Sequence, residues 1–138
     1  MITCKLAICA QMVLLDAQTN SVSLINIADD LTVPLPGLLA SLAAVFFVHR
    51  ERSDPDKIDA FISAGMVTQE QVRFPHHVDF QGKLNTRLIV QMAGVPIPVP
   101  GKFHIGLKLG IPEIEIGAWD FDVTALGQMT HITTSPQS

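Results

Sequence analysis

Histidines and carboxylates are the residues of this chain with chemistry to offer, and three groups of them stand out. His76 and His77 with Asp79 bring two imidazoles and a carboxylate close together, a donor set that suits zinc and similar ions. Adjacent histidines need a third ligand from elsewhere to hold one ion, and no other donor has a distinctive spacing. We therefore expect a solvated loop over 76–83 and no metal. His104 lies among Lys102 and Lys108, and His49 beside Arg50 and Glu51. A general base at either place needs an acid partner, and none is evident from spacing.

The third group is Glu113, Glu115, Asp120 and Asp122, which alternate with Ile114, Ile116, Trp119, Phe121 and Val123. Such a stripe could hold calcium if Asp54, Asp56 or Asp59 came opposite, or act as an acid–base pair in a glycosidase-like cleft. Trp119, beside the phase break at Gly117-Ala118, could stack on a sugar ring. Trp119, Asp120 and Asp122 are thus the candidate ligand residues for carbohydrate or calcium. The plainer expectation is that the carboxylates are the wet positions of a strand and that Trp119 enters the core. Nucleophile signatures are absent: no G-x-S-x-G elbow, no phosphate-cradling glycine loop and no C-x-x-C pair. The chain reads as a non-enzyme with no catalytic residues and no cofactor.

The elements that position these residues are strands. Leu84, Thr86, Leu88, Val90 and Met92 alternate with Asn85, Arg87 and Gln91, as do Phe103, Ile105, Leu107 and Leu109 with Lys102, His104 and Lys108. Successive strand side chains point to opposite faces, so each stretch has one buried and one wet surface. Between them, Val95-Pro96-Ile97-Pro98-Val99-Pro100-Gly101 lacks the amide hydrogens to continue a ladder. The opening segment reads as a strand with Cys4, Leu6, Ile8, Ala10, Met12 and Leu14 inward. Asp16 to Ser21 turns into a second strand whose apolar phase jumps at Leu24-Ile25, and Leu35-Pro36-Gly37 marks a crossing loop. Residues 37–44 suit helix or strand, but Val45-Phe46-Phe47-Val48 favours a strand from Leu42 to Glu51 that is apolar on both faces. Ile58, Ala60, Ile62 and Ala64 share a face, and Glu113 to Val123 forms the last strand. Turn signals every 8–12 residues or so imply an all-β, single-domain antiparallel β-sandwich of roughly seven to nine strands. It spans residues 1–127 and leaves 128–138 as a polar C-terminal tail.

Composition narrows the partners. The chain is 48% hydrophobic and 16% charged, against about 25% charged in an average soluble domain. An under-charged sheet face is one that another copy or a partner covers. The expected interface is Ala7, Cys9 and Val13 of the first strand with Ala43, Val45 and Phe47. A net charge of −4 with no basic run excludes a phosphate backbone and disfavours an anionic membrane. No segment reaches the roughly 20 apolar residues of a membrane span. Cys4 and Cys9, an odd spacing apart on one strand, are expected on opposite faces as reduced thiols of a cytoplasmic protein.

Asn20-Ser21-Val22-Ser23-Leu24-Ile25-Asn26-Ile27-Ala28-Asp29, Pro34-Leu35-Pro36, and Pro100-Gly101-Lys102-Phe103-His104-Ile105 with Gly110 resemble a family of small bacterial proteins. That family is known only as a domain of unknown function. The resemblance runs from about Cys4 to Val123. It implies a single all-β domain and brings no catalytic residues. Function is expected to be that of a non-catalytic protein-interaction or assembly module, a homo-oligomer, with a ligand-binding sandwich as the alternative.

Overall fold

The computed structural model describes residues 1–126. Nine strands run in chain order: β1 (Thr3–Leu15), β2 (Val22–Ile27), β3 (Asp30–Val33), β4 (Gly37–His49), β5 (Lys57–Met66), β6 (Val72–Asp79), β7 (Asn85–Ile97), β8 (Gly101–Leu109) and β9 (Ile114–Ala125). They form two sheets, β2-β1-β4-β7 and β3-β9-β8-β5-β6. The architecture is the expected β-sandwich. The pairings are antiparallel except that β3 runs parallel to β9, with Leu31 opposite Val123. The expected tail from 128 lies outside the described residues.

The core forms where the inward residues of both sheets meet. Cys9, Leu42, Phe46, Val48, Leu88 and Val90 come from one sheet, and Ile62, Phe103, Ile105, Leu107, Phe121 and Val123 from the other. Phe103 and Phe121 stack with ring centroids 4.9 Å apart. The ambiguous segment 37–44 is strand: it pairs with β7 from Gly37 onward, and β1 joins on its other side only at Ala43 and Ala44. Of the expected loop over 76–83, residues 76–79 are strand, because β6 stays paired with β5 as far as Asp79, and 80–83 form the turn that follows. Pro75 is tolerated there because β6 is an edge and the missing N–H is asked for by no neighbour.

Two expectations about β1 are corrected by irregular pairing. The register with β4 shifts between Cys4 and Leu6, so the alternation inverts. Ala7 and Cys9 therefore point into the core, and Leu6, Met12 and Leu14 are exposed. Cys4 also turns inward, against Gly117 of the opposite sheet, where a Cβ would lie 2.7 Å from the Cys4 Cβ. Both cysteines are free and face one interior. Burial pushes the Cys4 thiol up and takes the Cys9 thiol up to about 12.

The second irregularity lies past Ala10, where pairing with β4 stops but pairing with β2 continues to Leu15. Asn26 takes a left-handed φ of 56° and donates its side-chain amide to the Gln11 Oε1 at 2.7 Å. Ala7 and Cys9 pack in the main core, yet Val13, of the same parity, packs with Ala43 and Val45 in a separate cluster. Alternation has thus slipped between Ala10 and Val13. The far half of the β1–β2 hairpin lies over the outer face of β4. Val22, Leu24, Phe47 and Ile89 complete that cluster. The hairpin tip reaches β7, where the Arg87 Nη2 donates to the Asn20 backbone oxygen at 2.7 Å and to its Oδ1 at 2.6 Å.

The end of the sandwich near Arg50 is closed by a polar knot. The Arg50 Nε donates to the Lys83 carbonyl at 2.8 Å, Nη1 donates to the Asp54 carbonyl at 3.0 Å, and Nη2 pairs with Asp56 at 3.4 Å. Its guanidinium also lies over the Phe80 ring. Arg50 is buried, with every one of these contacts compensating the loss of water.

Candidate functional site

The residues with chemistry gather on the outer face of the five-stranded sheet. On β8, Lys102, His104, Gly106 and Lys108 point outward, as their alternation with the buried Phe103, Ile105 and Leu107 requires. On β9, Asp120 stands directly opposite His104, and Asp122 opposite Lys102. A β-bulge then intervenes: Leu107 faces Gly117, but Lys108 faces Glu115, which leaves Ile116 as the extra residue. Without the bulge Glu115 would fall on the inner face. With it, Glu115 lies outward beside His104.

His104 is clamped from both sides. Its Nδ1 meets the Asp120 carboxylate and its Nε2 meets the Glu115 Oε1 at 2.7 Å. Gly106 makes room for the second contact, since a Cβ there would collide with the Glu115 carboxylate. Ionised carboxylates only accept hydrogen bonds, so both contacts require the doubly protonated imidazolium. Partial burial alone would lower the His104 pKa. The hydrogen bonds and charges of Glu115 and Asp120 outweigh it and hold the pKa above the ordinary histidine value. Around this centre, Arg73 of β6 pairs with Glu113 and sits 4.1 Å from the centroid of the Phe61 ring. Ser63 donates to the Gln71 Oε1 at 2.6 Å.

This geometry answers the chemical questions raised by the sequence. His104 does have acid partners, two of them, which spacing along the chain did not reveal. Because they occupy both ring nitrogens, the imidazole has no free lone pair with which to act as a base. The two carboxylates bind opposite edges of the ring, so the three groups do not converge on a point. Among the described residues no group of three His, Cys, Asp or Glu side chains is arranged to hold a metal ion. The aspartates that calcium would need opposite the acidic strand are engaged elsewhere. Asp54 accepts from the Glu51 N–H, Asp56 from the Gly82 N–H, and Asp59 meets the His77 Nδ1 at 3.0 Å. His76 and His77, adjacent on β6, point to opposite faces.

The candidate ligand residues separate. Asp120 and Asp122 are outward and exposed, but Trp119 shares the inward face with Phe121 and packs against the core. Its indole Nε1 donates to the Ala28 carbonyl at 2.6 Å, at the point where the chain crosses from one sheet to the other. Trp119 is a staple for that crossing and offers no stacking face beside Asp120 and Asp122. The expected interface is also corrected. Ala7 and Cys9 lie in the main core, and Ala43 and Val45 are buried beneath the chain's own hairpin, whose Val13 packs onto them, with Phe47 half-buried beside them. An apolar second face on β4 signalled a cover, and the cover is intramolecular.

No family model matches the chain, and no curated protein matches it. Among the described residues no helix is long and apolar enough to cross a membrane.

Proposed function

We propose that this protein is a non-catalytic interaction module that self-associates through the exposed side of its β1–β2 hairpin. The observation that carries this reading is the distribution of charge and burial on that hairpin. From Leu6 to Ala28 the only charged residue is Asp16, at the turn. One side of the ribbon, Val13 with Leu24, is spent covering β4. The other side presents Met12 opposite Ile25, with Leu14 next along, at 49%, 39% and 47% exposure. β2 is also the outermost strand of its sheet and carries none of the lysines or prolines that guard sheet edges against pairing. An apolar, unguarded edge ribbon is the surface of this fold best suited to a second copy. Two free thiols support a cytoplasmic setting, where disulfides are rare.

Light scattering on the purified chain, alone and with Leu14→Glu or Ile25→Lys, tests this. The wild type should have at least twice the mass of one chain. Each variant should return to a single chain without loss of thermal stability, because neither side chain is in the core. A wild-type protein that is monomeric at high concentration would remove the proposal.

A further inference from the structure

The two sheets part company on the side where β6 and β7 are the outermost strands, and an apolar cavity of about 290 Å³ opens between them. Its most buried lining residues are Ala64, Met66 and Phe103, and Phe74, Met92 and Val95 are half-buried around it. The cause of the opening is local. Gly94 adopts a left-handed φ of 63°, and the alternation of β7 breaks there, so that Met92 and Val95 both turn toward the core. Ala93 and Gly94 between them are exposed, and Val72 and Phe74 of β6 line the space without closing it. Such a volume is close to the lower end of small-molecule sites, roughly 300–1,000 Å³.

The flanks argue for a small molecule and against an added strand. β6 carries Pro75 and β7 carries Pro96, each without the N–H that an incoming strand would need. Two methionines in the lining, with flexible and polarisable side chains, suit an apolar guest of variable shape. Glu70 is the one charged residue among the described residues that line the cavity, and it is exposed. Gln69 beside it adds a neutral polar group. A hydrocarbon body with a cationic head complements this arrangement, and an anionic head opposes it.

We infer that this cavity is a binding site for a small aliphatic amine, its hydrocarbon chain between Met66, Met92 and Phe103 and its ammonium at Glu70. The test titrates hexylamine, hexanol and hexanoate into the protein and follows the methyl NMR signals of Met66 and Met92. Hexylamine should shift both signals saturably and bind about fivefold more tightly than hexanol, as one partly exposed ion pair allows. Hexanoate should bind least. Glu70→Gln, a surface change that leaves the fold intact, should erase the advantage of the amine over the alcohol. Met92→Trp should fill the space and weaken all three ligands. Equal binding of the three ligands, or an amine preference that survives Glu70→Gln, overturns the assignment. So do methyl signals that stay still with hexylamine, or that move with protein concentration alone, which would give the cavity to a second copy of the chain.

Discussion

Val45 distinguishes a buried second core from an open docking face, and Val45→Ala measures which it is. The side chain is fully buried on the outer side of β4, among Val13, Ala43, Leu24, Phe47 and Ile89. Truncation removes two methyl groups, about 1.6 kcal/mol at roughly 0.8 kcal/mol per carbon, before any cost of the void left behind. With partial collapse of the hairpin onto the gap, the total should be about 2–3 kcal/mol. In equilibrium urea unfolding the midpoint should fall by roughly 1–2 M with an unchanged slope, because the surface exposed on unfolding barely alters. Val13→Ala should behave similarly, and the pair should be non-additive by about 0.5 kcal/mol or more, since the two side chains share one cluster. The mass in solution should not change in either variant. A loss below about 0.5 kcal/mol, or a fall in mass with stability intact, would refute the inference that the hairpin covers β4.

Three further outcomes follow from the site and its supports. His104→Gln should cost stability in a pH-dependent manner. The folded-state pKa is raised above the unfolded value near 6.5, so the stabilisation is full below about pH 6.5, down to where the carboxylates protonate. It is lost as pH rises through the folded pKa. The thermal midpoints of wild type and variant should therefore differ at pH 6 and converge at alkaline pH, with solvent screening holding the gap to about 1 kcal/mol. Trp119→Phe should cost about 1–3 kcal/mol by orphaning the Ala28 carbonyl, and the fluorescence of this single tryptophan should be blue-shifted and unaffected by glycans. Gly117→Ala should destabilise by about 1–3 kcal/mol in urea unfolding through collision with Cys4, and Cys4→Ala should restore part of the loss.

The strands that alternate without interruption were legible from residue types alone. β5, β7 up to Met92 and β8 place their apolar residues inward as their spacing requires. What escaped was whatever depends on pairing between distant strands. Nothing near Lys5 marks it as the irregular residue that inverts β1, and nothing near His104 shows that Asp120 will stand opposite it. β3 was missed because four residues starting at Asp30 carry too short a period to read, and its partner is far along the chain. The phase break at Gly117-Ala118 was visible, and its consequence was more specific than a change of face. It brings Glu115 to the outer surface and leaves Trp119 with Phe121 and Val123 inside. The doubly apolar β4 correctly implied a covering layer, but the slip of alternation between Ala10 and Val13 has no compositional signature. The origin of that layer was therefore beyond reach of local patterning.

Cys9 has no solvent exposure, and burial between the two sheets pushes its thiol up to about 12. Thiolate, the form that oxidants and electrophiles attack, is almost absent at neutral pH. Cys4, half-buried where β1 meets β9, is the nearer target. Covalent injury to the inner sulfur is thus reserved for molecules whose layers have already come apart, so its modification marks a chain that has lost its fold.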